Sequence, residues 1–179
     1  MEEYFDEVDE NNQLTGMKVK RSEAHVSGRW HRVVHIYLFK KEDEELYFLV
    51  HLRSKRKDLN PNRWDTRFGG HLKQGKGEGE TVIGELNEEL GLNIDLKDLI
   101  KGRTYKKNNF PNCEFASVFF LEFVDDLSKL TFKDGEVQEI KWMKHSDIVE
   151  SMENEKDIWA AGKNGFLEIL DDLKGLLGK

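Results

Sequence analysis

Apolar and polar positions alternate along most of the chain and fall into helical spacing in two places. Tyr4–Val8 and Met17–Val19 flank the turn-rich Asp9-Glu10-Asn11-Asn12 and predict a short hairpin over about residues 4–20. Trp30–Phe39 and Leu46–Arg53 read as strands joined by the charged loop Lys40–Glu45, and Lys55–Asn62 as a basic, polar loop. Ile94–Leu99 and Gly102–Lys107 read as short extended pieces, Phe115–Val124 and Val137–Met143 as further strands. Val82, Ile83, Leu86 and Leu90 make an apolar stripe on a helix from about Glu80 to Leu90, stopped by Gly91. The tail is helical from Ser146, and Ile158, Trp159, Phe166, Ile169, Leu170, Leu173 and Leu176 predict a C-terminal helix over about 155–177. Strands in the middle, one helix among them and another at the end predict an α/β sandwich with a mixed sheet. No repeat or linker marks a boundary, so residues 1–179 are expected to form a single domain.

Composition narrows the partners. The chain has 179 residues, 37% hydrophobic and 35% charged, with a net charge of −7. That balance gives no electrostatic reason to bind nucleic acid or an anionic membrane. No stretch approaches the ~20 apolar residues of a membrane span. The acidic start Met1-Glu-Glu-Tyr-Phe-Asp-Glu7 does not resemble a targeting peptide, so a cytoplasmic monomer or homodimer is expected. The single cysteine, Cys113, excludes an internal disulfide.

The helix carries the candidate chemistry. Glu85, Glu88 and Glu89 fall within about 100° of arc on one side of it. Glu85 and Glu89 form a like-charge i,i+4 pair near the end of the helix where the dipole disfavours anions. Such a cluster is either a solvated acidic face or an oxygen site for Mg²⁺ or Mn²⁺.

The surroundings favour the second reading. Gly69-Gly70-His71, the loop Gly75–Gly79 and then Gly84-Glu85-Leu86-Asn87-Glu88-Glu89-Leu90-Gly91-Leu92 stand in the spacing of the Nudix box. The segment Glu23–His35, with Leu52-Arg53-Ser54, Trp64-Asp65 and Glu136–Trp142, resembles Nudix proteins of the isopentenyl-diphosphate-isomerase-like branch. The resemblance covers roughly residues 4–150 and implies a Nudix α/β/α sandwich. It also implies metal-dependent hydrolysis of a diphosphate linkage in a small-molecule substrate, such as a nucleoside diphosphate derivative. On that reading Glu85, Glu88 and Glu89 hold Mg²⁺ or Mn²⁺. Glu88 or Glu89 takes a proton from water, with Glu136 as the alternate base, and Arg53, Gly69, Gly70 and His71 bind substrate.

Two positions depart from the family pattern. Lys76 stands where members carry Glu, and Gly84 where they carry an Arg that orients the helix carboxylates. Glu78 or Glu80 are the nearby acids that would have to substitute. These departures keep a second reading open, a binding module for a nucleotide or phosphorylated ligand that does not cleave it. The isomerase of the same branch uses a cysteine just before the Gly-His pair, where this chain has Gly69. Gly70–Gly77 nearly spells a P-loop but ends in Gly77, where a Mg²⁺-binding hydroxyl belongs. His25, His31, His35 and His71 form a metal site only if they converge, and are otherwise packed imidazoles. The loop carrying Arg53, Lys55, Arg56 and Lys57 reads as a solvated face, or as a phosphate-receiving one beside an acidic metal site.

Overall fold

The computed structural model describes residues 2–57, 59–132 and 135–178, so residue 58 of the basic loop lies outside them. Strands β1 (Tyr4–Val8) and β2 (Leu14–Lys20) form the N-terminal hairpin, followed by a short helix α1 (Arg21–Ser27). The central sheet takes β3 (His31–Glu42), β4 (Glu45–Arg53), β5 (Trp64–Asp65), β6 (Leu99–Asn109), β7 (Asn112–Glu122) and β8 (Val137–Lys144). Its order is β5-β4-β3-β7-β6, with β8 along β4, and the β3–β7 pair is parallel while the others are antiparallel. The mixed sheet is therefore as expected.

Strand β3 is buried on both faces, and its alternation sorts the core into two layers. Val34, Ile36 and Leu38 pack with Leu86 and Leu90 of helix α2 (Glu78–Leu90). Tyr37 and Phe39 pack under α3 (His145–Asn154) and α4 (Lys163–Leu177), against Ile148, Phe166 and Leu170. Val82, Leu86 and Leu90 are completely buried, each stabilising the fold by roughly 1.5–3 kcal/mol. The helix begins where Glu80 accepts the Gly77 N–H, and ends where Gly91, at φ 69°, donates to the Asn87 carbonyl.

One irregularity positions the site. Strands β3 and β4 pair only over Phe39–Glu42 and Glu45–Phe48, and then separate. The vacated edge of β3 is taken by residues 68–72: Ile36 and Phe68 exchange two bonds of 2.9 Å, and Val34 donates to the Gly70 carbonyl at 2.9 Å. This seats Gly69 and Gly70 between β3 and α2.

One element goes unannounced in the sequence, and two expectations need correction. Residues 21–27 are helical, although only Ala24 among them is buried and no apolar stripe announces the turn. The extended piece expected over Ile94–Leu99 holds a 3-10 turn at Leu96–Asp98, and the one over Gly102–Lys107 lies within a longer strand, Leu99–Asn109, whose register shifts between Lys101 and Thr104. The predicted helix over 155–177 is broken, because residues 155–162 form a short 3-10 turn and a loop, and α4 starts at Lys163 after Gly162. Trp159 is nonetheless core, 3% exposed, so its spacing reported burial rather than helix.

Candidate active site

The three helix glutamates differ in their surroundings. Glu89 is half-buried, and its carboxylate accepts the backbone N–H of Gly69 at 2.9 Å. Gly69 sits at φ 117°, and a Cβ there would collide with the carbonyl oxygen of Val34, so only glycine fits. Glu85 is also half-buried, with its carboxyl against Gly70, where a Cβ would lie 2.7 Å from the carboxyl carbon. Burial, and next the neighbouring Glu88 carboxylate, push the Glu85 pKa up to about 7. Glu88 itself is exposed. A crowded, partly desolvated carboxyl with a like charge beside it is a site that gains from a cation.

Positive charge reaches Glu85 from outside its helix. Lys73 and Lys57 both lower its pKa, opposing the larger effects of burial and of Glu88. They supply, from two loops, charge of the sign that an Arg at position 84 would bring; a Cβ on Gly84 would meet nothing within 4 Å. Lys57 is ion-paired with Glu136, which also receives the Ser54 N–H on its backbone carbonyl. The Lys57 charge that acts on Glu85 is thus shared with Glu136.

The acids proposed to replace the family's loop glutamate are otherwise engaged. Glu78 accepts from Ser117 at 2.7 Å and Lys101 at 2.6 Å, which ties the start of α2 to the sheet. Glu80 accepts from Lys76 at 2.8 Å and caps Gly77. Arg53 donates to the Leu59 carbonyl at 3.0 Å and lies 3.7 Å from buried Asp65, with no bond to the helix glutamates among the described residues.

His71 belongs to a different constellation. Ligand atoms of His25, His31, His71 and Glu114 all lie within 4.8 Å of one another. Register explains the meeting: His31 of β3 lies opposite Glu114 of β7, Val33 bridges His71, and α1 delivers His25. His25 and His31 have Nδ1 against the Arg21 and Arg29 carbonyls, at 2.9 and 2.8 Å. A carbonyl can only accept, so those Nδ1 atoms carry the hydrogens and the Nε2 lone pairs face the cluster. The His31 Nε2 is buried, with no hydrogen-bond partner among the described residues. Burial pushes the pKa values of His31 and His71 down, which keeps both imidazoles neutral. Neutral nitrogens oriented by carbonyls and joined by a carboxylate are the donor set of a transition-metal site. His35 is not a member; its Nε2 meets Lys107 at 3.3 Å.

The large aromatic residues near the sheet have neighbours of their own. Trp30 packs on Phe115, Tyr37 is buried in the core, and Trp64 carries Lys141 over its ring. Phe110 is 75% exposed.

With this geometry established, the family model for the NUDIX domain matches residues 29–163. The chain belongs to the Nudix family. It is 30% identical over 155 residues to Nudix hydrolase 3 of Arabidopsis thaliana, covering 82% of this chain but 20% of that protein. It is 26% identical to the isopentenyl-diphosphate Delta-isomerase of Pectobacterium atrosepticum, over 81% of this chain and 78% of the relative. The crystal structure of DR0079 from Deinococcus radiodurans superimposes with a TM-score of 0.71 at 21% identity, covering 86% of this chain and 90% of that one, which establishes the shared fold. Family membership supports a pyrophosphohydrolase-type function. No helix among the described residues is long and apolar enough to cross a membrane.

Proposed function

We propose that the protein hydrolyses a diphosphate linkage in a small molecule, a nucleoside diphosphate derivative or a related diphosphate, with a divalent cation at Glu85, Glu88 and Glu89. The observation that carries this reading is the pairing of two helix carboxylates with two glycines, Glu89 on the Gly69 N–H and Glu85 against Gly70. A box that had lost its function would have no need to keep a φ 117° glycine and a half-buried glutamate facing each other.

When bound, Mg²⁺ or Mn²⁺ supplies neutralisation of phosphate charge and acidification of water. The residues do the rest. Glu85 and Glu89 are held in place, one by packing and one by the Gly69 N–H. Exposed Glu88 takes the proton from water, and Glu136, which has Lys57 beside it, is the alternate base. Water oxygen forms the new bond to phosphorus, the bridging P–O bond breaks, and the bridging oxygen leaves with the other phosphoryl group. The absence of side chains at Gly69 and Gly70 lets this segment pack against the Val34 carbonyl and the Glu85 carboxyl, which sets the backbone beside the two carboxylates where the diphosphate binds. His25, His31, His71 and Glu114 offer a second cation site, suited by its nitrogen donors to an ion such as zinc. The cation site at the box is tested by titrating Mn²⁺ into the protein by calorimetry: Glu85→Gln should weaken binding at least tenfold while His31→Ala leaves that phase unchanged. Unaltered binding in Glu85→Gln would reject the site.

A further inference from the structure

The lysines around α2 differ in what holds them. Lys76 donates to Glu80 at 2.8 Å and Lys101 to Glu78 at 2.6 Å, contacts that fix the start of the helix. Lys57 is ion-paired with Glu136. Lys73 is the exception. Its one ion-pair partner among the described residues is Glu3, at 3.8 Å, and its side chain is 55% exposed. Glu3 in turn has Arg21 closer, at 2.9 Å. Lys73 can therefore leave Glu3 without stranding that carboxylate, and an ion pair this exposed holds it only weakly.

The Lys73 side chain is loosely held, but its backbone is not. Phe5 of β1 and Lys73 form an antiparallel bridge, and the Gln74 N–H donates to the Tyr4 carbonyl at 2.8 Å. The Gly75 N–H donates to the Asp6 carboxylate at 2.7 Å. Phe5 anchors this clamp: it is completely buried and stacks on His71 with the rings 4.7 Å apart. The loop needs such support, because Gly75 sits at φ 74° and Gly77 and Gly79 follow it. Glycines lose more freedom on ordering than any other residue. The clamp comes from the N-terminal hairpin, which precedes the family-matched residues 29–163.

What the hairpin fixes is a cation at the edge of the box. Gly70, against the Glu85 carboxyl, lies three residues before Lys73, so their Cα atoms are at most about 11 Å apart. Between them Leu72 is buried in the same core layer as Leu86 of α2. The Lys73 charge is felt at Glu85 more strongly than that of Lys57.

We propose that Lys73 is a substrate-binding residue whose ammonium leaves Glu3 to hold a non-bridging oxygen of the diphosphate, and that Asp6 is the positioning residue that fixes it there through the Gly75 N–H. The inference rests on the hydrolase reading, in which a cation at Glu85, Glu88 and Glu89 holds the same diphosphate. An ammonium on a flexible stem is a point charge that can follow a phosphate oxygen. The fixed backbone beneath it keeps that search short.

The test is calorimetric titration of the full chain with methylenediphosphonate, a diphosphate analogue that resists hydrolysis, in the presence of Mn²⁺. Saturable binding is expected. Lys73→Gln should weaken it about tenfold or more, and Lys73→Arg should restore most of the loss. Lys76→Gln removes the same charge from the same loop and should cost about threefold at most. Asp6→Ala should weaken binding, and Asp6→Asn, which keeps an oxygen for the Gly75 N–H, should weaken it less. Added to Lys73→Gln, Asp6→Ala should cost nothing further. No saturable binding, unaltered affinity in Lys73→Gln, or an equal loss in Lys76→Gln overturns the proposal. Additive losses from Asp6→Ala and Lys73→Gln overturn the positioning role. Omitting Mn²⁺ probes the hydrolase reading separately. Binding indifferent to the metal yet still weakened by Lys73→Gln would remove the cation site and leave the Lys73 assignment standing.

Discussion

The Glu85 carboxyl occupies the space that a side chain at position 70 would need: a Cβ on Gly70 would come 2.7 Å from its carboxyl carbon. Gly70→Ala must therefore displace a proposed cation ligand. The carboxyl is the end of a flexible side chain and can swing away at little cost in stability, so the effect is on function: activity should fall at least tenfold. Turnover and thermal unfolding measured together check it; an alanine variant with unchanged kcat/KM would show that the Glu85 position is not used.

The raised pKa of Glu85 fixes the sign of a pH effect. A carboxyl whose folded pKa is about 7 and whose ordinary value is 4.5 holds its proton more tightly in the folded chain. Its contribution is fully favourable below 4.5 and declines as pH rises towards 7, by at most about 3 kcal/mol. Glu85→Gln should flatten that decline and raise the stability of the metal-free protein above neutrality. Denaturant melts in EDTA at several pH values read this directly, and parallel curves for the two proteins would contradict it. A divalent cation competes with the same proton, so its affinity should climb through this window.

Gly84 lies inside α2, with open space where a Cβ would stand. Gly84→Ala should stabilise the protein by about 1 kcal/mol, a rise in melting temperature of about 2–4 °C. Calorimetry decides, and a fall would show that the residue there is constrained by something other than helix propensity.

The legibility of these features follows the range of the interactions behind them. Helix α2, its glutamates, Gly69-Gly70 and the strands β3 and β4 could be read because each is written in a contiguous run with its own period or punctuation. Helix α1 was not legible, since seven residues with only Ala24 buried carry no stripe. Only Gly102–Lys107 of strand β6 was legible, because the register shift between Lys101 and Thr104 interrupts the pairing near its start and the preceding apolar residues 94–98 form a loop and a 3-10 turn. The histidine constellation joins four segments through the register of His31 on Glu114, which no local pattern announces. His71, expected at the substrate with its neighbours in the box, lies 3.1 Å from His25, a contact the sequence spacing did not announce.

That constellation makes its own prediction. Protein dialysed against zinc and then buffer should retain about one ion per chain, measured by mass spectrometry of the metal content. His31→Ala and Glu114→Gln should each lower the retained metal, and EDTA should lower the melting temperature of the native chain but not of the variants. Metal retention unaffected by His31→Ala would contradict the site.

The most direct test of the hydrolase account is product formation from a panel of diphosphates with Mg²⁺ or Mn²⁺: nucleoside triphosphates, ADP-ribose, dinucleotides and isopentenyl diphosphate. The control is the Glu88→Gln, Glu89→Gln double variant, whose amides keep an oxygen to accept the Gly69 N–H. The account predicts metal-dependent cleavage of at least one member, reduced by orders of magnitude in the control. Full turnover in the control would contradict the assignment of these residues. Silence across the panel, with thermal shifts showing that ligand still binds, would contradict hydrolysis and make the chain a binding module.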